Sequence, residues 1–412
     1  MYSKVSSCRI CGNQELVQVL DLGEQVLTGV FPAAIGQKIT KGPLSLVKCM
    51  GEAACGLLQL EHSYELSEMY GDNYGYRSGL NASMVEHLNA KVARIRSLVG
   101  LSAGDLVIDI GSNDSTTLRA YPKEGLLLVG VDPTGTKFKE YYPDHVALIP
   151  DFFSAPLVKA RYPGKKAKVI TSFSMFYDLE SPMQFMREIH ELLDDQGIWV
   201  FEQSYMPLML ATNAYDTVCH EHLEYYALKQ IKWMADRVGF TIVDIEFNNI
   251  NGGSFSVTVG KAGGKHRESG EVAKILQKEQ SEGLDTLAPY QQFAERVQKL
   301  KSELRAFVEQ AKKEKKRVVG LGASTKGNVV LQYCGFTKND IDCVGEVNKE
   351  KYGRFTPGSE IPIVSEEALA ASKPDYLIVL PWHFRPFFVS SKRLKGLNLV
   401  FPMPNIEVVK VG

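Results

Sequence analysis

In the stretch "DTVCHEHLEYY" (Asp216 to Tyr226) two histidines flank a glutamate. Imidazole is the side chain that changes charge nearest neutral pH, and a neighbouring carboxylate can hold it in one tautomer. His220, Glu221 and His222 therefore make a candidate acid–base site. A metal box is the alternative, but H-x-H beside Cys219 finds no further histidine or cysteine pair nearby. A third reading is the polar edge of a helix. The following "LEYYALKQIKWMADRVGF" is amphipathic and helical, which puts the histidines at its mouth.

A different set of residues points to a metal. Cys8 and Cys11 stand in "CRIC", Cys49 and Cys55 in "CMGEAAC". Two cysteine pairs separated by a loop of roughly 40 residues can close a tetrahedral thiolate cage around Zn²⁺. The first pair has knuckle spacing with Gly12 behind it. The second is wide, with Gly51 and Gly56 to relieve the longer loop. Four thiolates leave no open coordination position, so such an ion is structural.

Two turns suit nucleotides. "VIDIGSNDSTTL" carries a buried strand to Asp109 and Gly111, followed by Ser112, Asn113 and Asp114; the next strand, "VGVD", ends in Asp132. An acid at the end of a second strand is placed to accept from ribose hydroxyls. A single glycine in place of G-x-G-x-x-G leaves little phosphate cradle, which favours S-adenosylmethionine over NAD. "DFF" adds Asp151 and the adenine-sized face of Phe152. The second turn, "VVGLGASTKGN", offers Gly320 and Gly322 for close backbone approach, with Ser324, Thr325, Lys326 and Asn328 around it. It is not a Walker A loop, but it suits a diphosphate at a helix start. Glu346, at the end of the next strand, and Arg354 are placed to line the same cleft, and "PWHF" (Pro381 to Phe384) to wall it.

These residues need scaffolds. The loop-rich segment 1–65 holds the cysteine pairs. Segment 66–285 alternates short Val/Ile/Leu/Phe runs with helical patterns, the mark of buried parallel strands. Segment 286–412 opens on a long polar helix and repeats the α/β theme on a smaller scale. The 412 residues carry a net charge of −1 and are 44% hydrophobic, and no basic, aromatic-interleaved stripe occurs. That composition argues against nucleic acid and against an anionic membrane as partner. The N-terminus lacks a signal-like apolar run, and no run of about 20 apolar residues exists to span a bilayer. The cytoplasm is the expected setting, where cysteines stay reduced. Nothing in the sequence fixes the oligomeric state.

Several stretches together resemble the sugar C-methyltransferases that act on nucleotide-linked 4-keto-deoxysugars. They are "CRICGN", "YGYRSGLNASMVEHL" (Tyr74 to Leu88), "DIGSND", "HEHLEYY", "NGGSFSV", "GLGASTKGNVVLQYCG", "GRFTPGSEIPI" and "LPWHF". The resemblance implies a zinc module, a central Rossmann-like domain for S-adenosylmethionine, and a smaller C-terminal Rossmann-like domain that helps hold a nucleotide-sugar. It implies dTDP- or GDP-linked 4-keto-6-deoxysugars as substrates and methyl transfer to C3 through an enolate. His222 matches the base, with Glu221 alongside, and Tyr76 matches a donor to the ketone; His220 is a neighbour of uncertain role. The chain departs from the pattern at Cys219, at Tyr177 or Asp178, and at Asn251, all expected near the sugar. O- or N-methylation of another small molecule is the competing enzyme reading, and a zinc-containing nucleic-acid binder the non-enzyme one.

Overall fold

A computed structural model of the chain describes residues 1–69 and 76–412, so Tyr74 and Gly75 of the quoted stretch lie outside the described residues. The N-terminal module is an antiparallel sheet of β1 (Leu16–Val26), β2 (Lys41–Cys49) and β3 (Leu58–Leu60). The inward residues Leu44, Leu46, Leu58 and Leu60 are each no more than 1% exposed.

The central domain opens with α1 (Ala82–Leu98), whose first turn is capped by the Asn81 side chain accepting from the Ser83 amide. Then come β4 (Leu106–Ile110), β5 (Leu127–Val131), β6 (Val146–Ile149), β7 (Ala167–Phe173), α2 (Pro182–Leu192) and β8 (Leu193–Ser204). A two-residue strand, β9 (Glu224–Tyr225), precedes α3 (Leu228–Val238), β10 (Phe240–Asn248) and β11 (Ser254–Lys261). Seven strands form one sheet in the order β10-β11-β8-β7-β4-β5-β6, parallel from β8 to β6, with β11 and β10 antiparallel. Every residue of β4 is buried, as a strand covered on both faces requires. The order reverses between β4 and β7, and ligands bind beyond the carboxyl ends of strands at such a switch point.

β9 does not join that sheet. It pairs antiparallel with β3, Glu224 opposite Gln59, and completes the N-terminal sheet in the order β9-β3-β2-β1. The histidines therefore sit on a loop ahead of a strand and not on the first turn of α3. The expected helix mouth is corrected: β3 offers unpaired backbone groups, and pairing them outweighs an earlier helix start.

α4 (Ala288–Lys313) leads to the last domain. Its buried stripe of Tyr290, Phe293, Val297, Leu300, Leu304, Val308 and Ala311 follows the helical period. The third sheet contains β12 (Val318–Leu321), β13 (Val344–Glu346), β14 (Ile363–Ser365), β15 (Tyr376–Val379), β16 (Asn398–Phe401) and β17 (Glu407–Lys410). Its order is β14-β13-β12-β15-β16-β17, again reversing beside the first strand. α5 (Thr325–Tyr333) starts at that reversal. One hydrophobic core runs from Leu44 and Leu58 through Tyr215, Val218 and Leu223 to α4 and the last sheet. Among the described residues no helix is long and apolar enough to cross a membrane.

Candidate active site

The loop ahead of β9 is held by all three domains. From the central domain, the short turn after β7 supplies Tyr177, whose ring lies 4.4 Å from that of His222 and whose carbonyl accepts from the Leu223 amide. The N-terminal sheet accepts the other edge, where the Leu60 amide donates to the Leu223 carbonyl at 2.8 Å. From the C-terminal domain, the Trp382 indole donates to Asp216 at 3.0 Å.

The two histidines divide sharply. His220 is fully buried, edge-on to Tyr64 at 4.6 Å and 3.4 Å from the Thr28 hydroxyl. It is a packing residue that fastens the loop to the N-terminal module. His222 is half-buried, and its Nδ1 lies 2.8 Å from the Thr217 carbonyl. A carbonyl only accepts, so Nδ1 carries the hydrogen and Nε2 keeps its lone pair. Burial, reinforced by the Lys326 charge, pushes the imidazole down to about 3. It is thus a neutral acceptor at neutral pH.

Glu221 does not orient His222, which corrects the expected pairing. Its carboxylate turns the other way, to Gly29 of the N-terminal module, where a Cβ would stand 2.2 Å from Oε1 and 3.5 Å from the Thr325 hydroxyl. Burial raises this carboxyl, and the Cys219 and Thr28 side chains partly offset the rise. Cys219 is 1% exposed, lies in the hydrophobic core, and its side chain meets the half-buried Glu221 carboxyl. Thr217 supplies the orienting group by its backbone. Sequence reasoning missed it because a backbone carbonyl has no residue signature, and it missed Gly29 because the partner lies far along the chain.

Tyr76 is half-exposed and lies on the cofactor side. Its carbonyl accepts from Asn113 Nδ2 at 3.1 Å, and the next residues follow suit, the Ser78 amide donating to Asn113 Oδ1 and the Gly79 amide to Asp114. The structure brings it to the β4 turn and gives it no contact with His222.

At the switch point, Gly111 has φ +72°, and a Cβ there would meet Met175 at 3.1 Å. Asn113 (φ 49°) and Ser115 (φ 60°) continue the turn. Asp109 lies beneath it, 2% exposed; burial pushes its carboxyl up to about 7 against hydrogen bonds from Thr171 and Thr117. Asp132 accepts from the Asn113 amide at 2.7 Å through one oxygen and from Thr134 through the other. These two acids shape the turn before they meet any ligand. Ser112 is buried against the Tyr142 hydroxyl at 2.8 Å. Asp151 accepts from the Phe152 amide, and the Phe152 ring is 52% exposed, an aromatic face open beside the turn. The cradle suits an adenosine: a glycine turn without room for a side chain, a shaped acid after the second strand, and a free ring.

In the last domain the residues around "GASTKGN" separate. The Ser324 hydroxyl accepts from the Gly327 amide and caps α5. Asn328 is fully buried, its amide donating to the Thr28 carbonyl; the structure corrects its expected place on the cleft, since it joins α5 to the N-terminal module. Lys326 extends to the Asn251 carbonyl at 2.8 Å. Asn251 itself has φ 54° and an amide 3.4 Å from Ser174. Glu346 accepts from the Val347 and Asn348 amides, with Lys351 at 3.8 Å. Arg354 donates to the Phe31 carbonyl. Asp178 follows Tyr177 in the turn after β7 and is half-buried.

The four cysteines converge as their spacing predicts. The Sγ atoms of Cys8, Cys11, Cys49 and Cys55 all lie within 4.8 Å of one another, with Cys8–Cys55 and Cys11–Cys49 at 3.5 Å. The crowd pushes the Cys55 thiol far up, chiefly through Cys49 and Cys8, so only a cation allows all four to ionise together. That donor set fits Zn²⁺ at about 2.3 Å per sulfur. The cage is tied to the base loop: the Gln230 amide donates to the Cys55 and Gly56 carbonyls, and Arg9, between the first two cysteines, donates to the Leu60 carbonyl and lies 3.7 Å from Glu224.

Three family models match this chain in sequence. One described as "Putative zinc binding domain" covers residues 8–70, a methyltransferase domain covers 84–245, and a C-methyltransferase C-terminal domain covers 249–404. The last match begins within the β10–β11 connection, although both strands belong to the central sheet. C-methyltransferase NovU of Streptomyces niveus is 28% identical over 98% of this chain and 97% of its own length. Among solved structures, the CcbJ methyltransferase of Streptomyces caelestis covers 43% of this chain and 90% of its own at 13% identity and a TM-score of 0.34. The YcgJ protein of Bacillus subtilis covers 43% and 99% at 13% identity and a TM-score of 0.33. The methyltransferase domain is S-adenosylmethionine-dependent, and the N-terminal module is a Cys₄ zinc site.

Proposed function

Because this chain belongs to the S-adenosylmethionine-dependent C-methyltransferases, we propose that it methylates C3 of a dTDP- or GDP-linked 4-keto-6-deoxysugar. One observation carries the reading. His222 keeps a bare Nε2, fixed by the Thr217 carbonyl, where the loops of two switch-point clefts meet. A ketone at C4 acidifies the C3 hydrogen, and a neutral imidazole is the group to remove it. The bound cofactor supplies an electrophilic methyl group on sulfur. Gly111, Asn113, Asp132 and Phe152 line its place, and Asp178, Asn251, Glu346 and Arg354 stand around the sugar–nucleotide cleft.

The test is incubation with S-adenosylmethionine and a panel of dTDP- and GDP-4-keto-6-deoxysugars, followed by mass spectrometry. The expected result is one added methyl on carbon, retained after acid hydrolysis of the nucleotide. Transfer to a hydroxyl or amine instead would establish the O- or N-methylation reading.

A further inference from the structure

Lys326 brings more charge to its surroundings than they use. It leaves the first turn of α5 half-buried and donates to the Asn251 carbonyl at 2.8 Å. Among the described residues no carboxylate lies within 4.0 Å of its ammonium; the ion pairs of this domain involve other cations, such as Lys351 with Glu346. An ammonium has three donors; this half-enclosed one gives a hydrogen bond to a single neutral acceptor and acts at longer range on the buried Asp216 carboxyl, which leaves donors for an incoming anionic oxygen.

The neighbours identify which anion. Asn251 begins a loop whose Gly252 packs against Trp382 and His383. Trp382 holds Asp216, and the next residue, Thr217, holds the base. On the other side, Thr325 and Glu221 flank Gly29. The surroundings of Lys326 thus connect, through Trp382 to Asp216 and across Gly29 to Glu221, with the loop carrying His222. Its charge is felt there: after burial, Lys326 is the next cause lowering His222 and His383. Of the donors expected beside it for a diphosphate, the Asn328 amide is committed to the Thr28 carbonyl, and the Ser324 oxygen accepts from the Gly327 amide at the helix cap.

We propose that Lys326 is a catalytic residue that stabilises the enolate oxygen as His222 removes the C3 proton, in place of the diphosphate-holding role expected from its motif. The assignment rests on the keto-sugar reading. In this step the C3–H bond breaks and its proton goes to His222 Nε2. The released pair forms the C3–C4 double bond, and the carbonyl π pair moves onto the C4 oxygen. Lys326 remains protonated and donates to that oxygen. Charge that develops only during reaction is where a preorganised donor contributes most.

Enolisation and diphosphate binding are measured separately. Each enzyme is incubated in deuterium oxide with the keto-sugar nucleotide and S-adenosylhomocysteine, and deuterium at C3 is followed by mass spectrometry. Affinity for bare dTDP or GDP is measured by calorimetry. Lys326→Met is expected to slow exchange about 100- to 1000-fold, the range for loss of one oxyanion donor, with nucleotide affinity unchanged. Lys326→Arg, which keeps the cation, retains a measurable part of the exchange. If Lys326→Met fails to fold, Lys326→Gln is measured in the same way. Undiminished exchange, or nucleotide affinity falling by the same factor as exchange, overturns the assignment. Absence of exchange in the wild-type enzyme across the panel sinks the keto-sugar reading itself, and this assignment with it.

Discussion

His222 is held as a neutral imidazole with Nε2 able to accept a proton, the state that its proposed role as base requires. Its tautomer is set by a backbone carbonyl, which no titration can remove, and burial holds it neutral. His222→Ala is therefore expected to abolish methyl transfer while leaving S-adenosylmethionine affinity, measured by calorimetry, within about twofold, because the cofactor turn lies in separate residues. The depressed value also fixes a pH dependence. A free imidazole protonates near ~6.5, whereas His220, His222 and His383 are each held down to about 3, first by burial. Below ~6.5 the unfolded chain takes up protons that the folded chain refuses, so stability falls between about 6.5 and 3 and is not lost as pH rises. In calorimetry the histidines' share of Tm should be flat above pH 7 and decline on acidification, opposed by the buried Asp109 carboxyl, which at about 7 takes up a proton in the folded chain first, and the acid limb of kcat/KM should lie well below ~6.5. An inflection at 6.5 would assign that titration to another group. At this scale the sequence names the histidine by type but not its partner: Glu221 stands next to it in the chain and points away from it in space.

Short elements do the positioning. β9 is two residues long, yet it fixes the base loop by borrowing the open edge of β3. Gly29 then brings the N-terminal backbone up to Glu221. Gly29→Ala places a methyl group 2.2 Å from Oε1, so the carboxylate must move. Turnover should fall at least tenfold with cofactor affinity unchanged, as read by steady-state kinetics and calorimetry. Gly111→Ala acts on the opposite side: φ +72° and Met175 at 3.1 Å disfavour any side chain, so a loss of about 1–2 kcal/mol in stability is expected on denaturant titration, with weakened cofactor binding. Parallel strands such as "LVIDI" and the long α4 stripe were legible because burial on both faces, or on one stripe, writes itself into composition and period. β9 was not. A two-residue strand has no period, and its partner lies in another module.

On the scale of the molecule, the three modules share cores. Val218 and Leu223 of the base loop lie in one hydrophobic cluster with Leu44 and Leu58 of the N-terminal sheet and Val319 of the last. The zinc cage is legible from cysteine spacing, but its bearing on catalysis is not: only the fold shows Arg9 and Gln230 running from the cage to β3, Glu224 and α3. Stripping the metal with a chelator should thus abolish activity, and hydrogen exchange should rise at Leu60, Glu224 and Tyr225 before it rises in β4 or β7. Uniform loss of protection across all sheets would instead mean that the metal supports the whole molecule equally.

The register of Glu224 with Gln59 also sets an order of events during synthesis. The strand that closes the N-terminal sheet leaves the ribosome about 165 residues after the strand it pairs with, Glu224 opposite Gln59. Until then β3 presents an unsatisfied edge, a template for pairing with other chains. The nascent N-terminal segment thus carries an open edge until the loop bearing His222 has been made, and only then is its own sheet whole.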